Sequence, residues 1–181
     1  MACDLTAGRL LPCKDVVGGI KALYLFNYGI VVTGTDAVTD IKATGGVNAA
    51  SAYKYVVKGL TGFEETVNSS RDTGSTFWEQ TLSLTLTKLD LTTRTELEIM
   101  AAGRPIVVAH DFNGNAFVLG AANGMEVSGG TTVSGQAKGD LSGYTLTLVG
   151  QETVPAPFVT GSTVANPFAG IVTNPPTIVT S

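Results

Sequence analysis

Charge is the scarcest property of this chain. Asp, Glu, Lys and Arg make up 14% of its 181 residues, against a usual share of about 25%. Too few charges are present for a disordered, self-repelling polymer. The net charge of −4, with 11 basic residues in all, argues against tight nucleic-acid binding, which needs clustered cations to displace phosphate counterions. It leaves room for a surface that DNA merely slides past. Histidine occurs once, as His110, and cysteine twice, as Cys3 and Cys13. Two thiols without a nearby histidine or third cysteine make a poor metal site. They read as reduced thiols in an N-terminal arm, with a disulfide or a metal site between subunits as the alternatives. No stretch approaches the ~20 apolar residues of a membrane span, and Met1–Arg9 has neither the basic start nor the apolar run of a signal peptide. The expectation is no membrane partner.

In place of charge the chain carries Thr, Ser, Gly and 44% hydrophobic residues. That balance suits a mainly β protein with much of its surface covered by other protein, and the length suits one domain with a substantial core.

The stretch Thr76–Gly103 organises the rest. Trp78, Leu82, Leu84 and Leu86 fall on one side of a long strand, and Glu79, Thr81, Ser83, Thr85 and Thr87 on the other. A period of two marks a half-buried strand. It breaks at Leu89–Thr93, where Asp90 and Thr92 are both plausible N-caps. Good helix formers follow from Arg94 to Ala102, so a helix is expected over about 90–102, with Gly103 supplying a left-handed closing residue.

Further strands are expected at Ile20–Tyr28, Ile30–Thr33, Ser51–Lys58, Phe63–Val67, Pro105–Phe112, Asn115–Leu119, Met125–Val133 and Gly143–Val149. Gly34–Asp40 reads as a turn, and one of the adjacent Glu64 and Glu65 must face solvent. Asn68–Ser75 reads as the connection of a long hairpin. Asn113-Gly114 is the strongest hairpin cue, because both residues tolerate positive φ.

Residues 1–19 show no period and read as an N-terminal arm. From Thr153 to Ser181 no charged residue occurs, and five of the seven prolines fall there. Free tails are normally polar, whereas this one is apolar and, with its missing donors, poor at forming ladders. It is expected to be an arm packed on a neighbouring copy; packing on its own domain is the alternative. Candidate arm contacts are Leu10, Leu11, Phe158, Val159, Phe168, Ile171 and Ile178.

No constellation in the sequence carries catalysis. His110 and Asp111 are neighbours in a strand and point to opposite faces, so a structural role is expected for the histidine. Asp111-Phe-Asn-Gly-Asn115 echoes the opening of a calcium loop but lacks the remaining ligands and the closing Glu. The glycines form neither a phosphate loop nor a dinucleotide fingerprint. No enzyme activity, cofactor or metal is expected.

One segment goes beyond generic β composition. Between Glu126 and Glu152, a strand rich in Thr and Val leads through Gly139-Asp140 and Ser142-Gly143-Tyr144 to an alternating strand ending in Gly150-Gln-Glu. That pattern resembles the C-terminal strands of bacteriophage tail tube (major tail) proteins, and the strand–helix–strand order of Thr76–Leu119 is similar to that family's core. The likeness spans roughly Ile20–Glu152 and leaves the Cys-bearing start and uncharged end unmatched.

The resemblance implies an antiparallel β-sandwich or partly closed barrel over residues 20–152 with one flanking helix. It implies hexameric rings whose inner strands join into a continuous barrel and stack into a tube. Such a tube encloses a tape-measure protein and passes DNA during ejection. The location implied is the virion tail, with the host cytoplasm during assembly. A lumen used by DNA should be polar and not basic, which makes the Glu79/Thr81/Ser83/Thr85/Thr87 face its candidate lining; an ordinary solvent-facing side is the alternative. Two alternatives stand beside this: a head-decoration, tail-terminator or baseplate protein on a related sandwich, and a ligand-binding β-barrel.

Overall fold

The computed structural model describes residues 8, 14, 16–46, 48–57 and 61–180. Strands take up 47% of the chain and helix 7%, in a half-barrel, sandwich-like arrangement of curled sheets. In order, the elements are β1 (Ile20–Phe26), β2 (Val31–Thr33), β3 (Ala37–Val38), β4 (Asp40–Lys42), β5 (Ser51–Val56), β6 (Gly62–Ser70), β7 (Ser75–Thr87) and α1 (Leu91–Ala102). There follow β8 (Ile106–Asp111), β9 (Ala116–Leu119), β10 (Glu126–Val133), β11 (Gly143–Glu152), β12 (Phe158–Val159) and β13 (Thr177–Val179).

Two sheets dominate. The smaller has four strands in the order β10-β11-β7-β6, each antiparallel to its neighbour. The larger has seven, in the order β13-β5-β1-β8-β9-β12-β3, and β2 and β4 form a separate ribbon. Period-two alternation explains the small sheet. Gln80, Leu82, Leu84 and Leu86 of β7 are buried, as are Tyr144 and Leu148 of β11, while the residues between them are not. These inward side chains meet Leu23, Leu25, Val107, Ala109 and Leu119 of the large sheet in a first core.

β1 and β8 are apolar almost throughout because both of their faces are covered. Their opposite face, with Ala22, Tyr24, Phe26 and Val108, forms a second core with Val38, Ile41, Val159, Phe168 and Ile171. The uncharged C-terminal segment therefore packs on its own chain, which corrects the expectation for Val159, Phe168 and Ile171. Phe168 meets Tyr24 and Phe26 edge-on; β13 ends the large sheet on one side, and on the other β12 extends it between β9 and the terminal β3. The reason is geometric: both faces of a central sheet need cover, and a proline-rich extended chain offers apolar side chains with few donors left to satisfy.

The helix lies where expected. The Asp90 carboxylate accepts from the Thr93 amide, and Leu97 and Met100 face the first core. Gly103 does not close it in the left-handed region; its φ of −101° and ψ of −176° are extended. Arg104 precedes Pro105, which disfavours helical backbone there, and the Gly103 amide still donates to the Ile99 carbonyl at 3.0 Å. Gly34–Asp40, expected as a turn, holds β3 and the start of β4. The β6–β7 hairpin forms as expected, but its connection is shorter than Asn68–Ser75: Asn68–Ser70 pair with Ser75–Phe77 in the ladder and leave Arg71–Gly74 as the turn. The Asn113-Gly114 turn of β8–β9 forms as expected, with Gly114 at φ +88°.

Candidate assembly surfaces

The small sheet presents its second face outward. Register places Thr87, Thr85, Ser83, Thr81 and Glu79 of β7 beside Gly143, Thr145, Thr147, Val149 and Gln151 of β11. On the flanks, Glu64 and Thr66 of β6 and Thr131 and Glu126 of β10 continue the same face. The side chains are half-buried or exposed, and none belongs to either core. Hydroxyls pair across it, Thr131 with Thr145, and Gln151 donates to Glu79 at 3.2 Å. The five candidate lumen residues therefore share one uncovered face.

Electrostatics sharpens this. None of the four strands contains Lys, Arg or His, whereas the outward face carries Glu64, Glu79 and Glu126. The ion pair on this face, among the described residues, lies at its edge, where Arg104 stands 3.9 Å from Glu126. Such a surface repels phosphates at a distance and offers no site to hold them. Among the described residues, no strand pairs with the outer edge of β6 or of β10. Open edges of this length, in strands of nine and eight residues, are templates for another chain.

Of the candidate arm contacts, Phe158 and Ile178 are on the surface, 49% and 43% exposed. Val159, Phe168 and Ile171 are buried within the chain, and Leu10 and Leu11 lie outside the described residues, as do Cys3 and Cys13.

His110 is structural in its setting. It is 1% exposed, its Nε2 is 2.9 Å from the Thr163 carbonyl oxygen, and its ring packs at a tilt near Tyr24. Burial pushes its pKa below the ordinary histidine value, although the Thr163 contact works the other way. Asp111 organises the hairpin turn, accepting from the amides of Asn113 and Asn115 and from both of their side chains. Burial alone would raise its pKa; these donors outweigh that and hold the carboxyl below the usual carboxylate range. With its oxygens so engaged, the echo of a calcium loop is a turn motif. Among the described residues there is no group of three or more potential metal-ligating side chains, and no helix long and apolar enough to cross a membrane.

The sequence reading passed over one buried polar network between the sheets. Gln80 accepts from the Gly120 amide at 2.9 Å and donates to Glu65 at 3.1 Å; Glu65 also accepts from the Ala156 amide at 2.7 Å. Glu152, 3% exposed, takes the amides of Ala122 and Asn123. The available signal was an even-numbered Gln80 in register with buried leucines.

The class these features define is a mainly β half-barrel with one open-edged, cation-free sheet. Comparison with protein-family models, with curated proteins and with solved structures gives no match to the chain.

Proposed function

We propose that the chain is a structural subunit of a bacteriophage tail tube, assembling into stacked rings through which DNA leaves the particle. The observation that carries this reading is the small sheet: among the described residues neither of its edges is paired, and its outward face bears hydroxyls and carboxylates while its four strands contain no Lys, Arg or His. Pairing β6 of one copy with β10 of the next satisfies both edges and joins the uncovered faces into one surface. Turned inward, that surface bounds a polar lumen that DNA traverses without being held. The resemblance of Glu126–Glu152 to tail tube strands supports the same assignment. It brings hexameric rings, an enclosed tape-measure protein and a place in the virion tail, and it assigns the chain no catalysis and no cofactor.

Light scattering and negative-stain electron microscopy of the purified protein test the proposal. Rings or filaments of uniform bore, with Glu79 facing the bore, are expected. A monodisperse monomer at all accessible concentrations overturns it.

A further inference from the structure

Among the described residues the small sheet has two unpaired edges, and they are displaced from one another along the strands. Following the rungs across β7 and β11, Glu64 lies level with Glu126, and Gly62 level with Gly129. The edges overlap between those levels alone. β6 runs on past one end as Glu65–Ser70, beside Gln80–Ser75, and β10 runs on past the other as Gly130–Val133, beside Leu146–Gly143. A second copy set alongside without stagger would pair only that short overlap. It would also bring Glu64 directly opposite Glu126, a like-charge pair that opposes the join. The exposed Arg104, 3.9 Å from Glu126, offsets little of this.

We propose that copies join β6 to β10 in one register, with Gly62 opposite Val133, Glu64 opposite Thr131, Val67 opposite Val127 and Asn68 opposite Glu126. The register rests on the assembly reading and adds to it the residues that meet. Every β10 position that pairs with β11 then finds a partner in Gly62–Asn68, with the irregularity at Ser128 falling between Thr66 and Val67. Each residue meets one from the same side of the sheet. On the outward side Glu64 accepts from the Thr131 hydroxyl, and Glu126 from the Asn68 side-chain amide. On the core side the exposed Val67 is covered by Val127. An intermediate stagger, with Glu64 opposite Gly129, leaves that carboxylate without a side-chain donor and β6 unpaired from Val67 onward.

Stagger also sets the tilt of the strands. From Glu126 to Thr131 the level moves from Thr81 to Thr85, four residues for each four-stranded copy. One residue per strand, with a rise of about 3.3 Å and a strand spacing of about 4.8 Å, tilts the strands about 35° from the axis of a closed ring. Closed barrels have tilts of about 35–45°. The intermediate stagger gives about 20°.

Cysteine pairs read the register directly. In a Cys3→Ser, Cys13→Ser background, Glu64→Cys is combined in turn with Thr131→Cys, Gly129→Cys or Glu126→Cys. β7 and β11 separate the two positions within one chain, so a disulfide between them has to join two copies. On mild oxidation the 64–131 pair is expected to give a ladder of covalent oligomers at least about tenfold faster than the other pairs, whose Cα atoms lie beyond bridging distance. Faster linkage through position 129 or 126 overturns the register and leaves the assembly standing. Rings or filaments in the microscope without a ladder from any pair overturn the joining of β6 to β10. A monomer by light scattering, with no ladder, removes both proposals. Without any cysteine pair, Asn68→Asp sets a carboxylate against Glu126 and should weaken association about two- to fivefold per junction. Adding Glu126→Gln should restore it. Association indifferent to Asn68→Asp overturns the register as well.

Discussion

Phe168 stands edge-on to Tyr24, with ring centroids 5.1 Å apart and planes at 78°. A residue from the proline-rich end thus completes a core begun in the first strand. Such pairs add about 0.5–1.5 kcal/mol beyond the area they bury. Phe168→Ala is expected to destabilise the chain by about 3–5 kcal/mol, measured by urea unfolding. Removing Thr153–Ser181 strips Val159, Phe168 and Ile171 from the second core together, and the cooperative transition should be lost. A truncated chain melting like the full one would contradict this.

Gln80 joins the two sheets through the Gly120 amide and Glu65. Gln80→Leu keeps the volume but orphans a buried donor. A loss of about 1–3 kcal/mol is expected, with an unchanged denaturant slope. Glu65→Gln is milder, because its amide oxygen still accepts from Ala156.

His110 and Asp111 both have folded-state pKa values below their ordinary ones. A lowered folded pKa means the unfolded chain binds protons first, so stability falls as pH drops. For His110 the loss begins near its unfolded value of about 6.5, and for Asp111 near about 3.9. Melting temperature should decline in two stages on acidification. His110→Gln, which keeps a donor, should flatten the upper stage alone.

The outward face tolerates charge as far as folding is concerned. Ser83→Lys and Thr147→Lys, made singly, should each change stability by no more than about 0.5 kcal/mol. In assembled particles the same lysines should slow DNA passage, and high salt should relieve the effect. Ejection kinetics at two ionic strengths check this.

Local rules made much of this architecture legible. β7 and β11 announce themselves by alternation, α1 by Asp90 and its run of helix formers, and the β8–β9 hairpin by Asn113-Gly114. The uncharged end was ambiguous for a physical reason: an arm buried against a neighbour and a segment buried against its own sheet need the same composition. β3 and β12 pair over two residues, too few to carry a period. Gln80 and Glu65 look like surface residues until partners 40 and 91 positions away in sequence are brought to them. The candidate lumen face was readable along β7 alone; its extension over β6, β10 and β11 required the register.

Strand parity in the small sheet has a last consequence. Its members alternate in direction and number four, so the first and last run oppositely. A copy set alongside by simple rotation meets its neighbour with the alternation unbroken. Each addition regenerates the boundary it consumed, and only curvature that brings the last copy round to the first can bring growth to a stop.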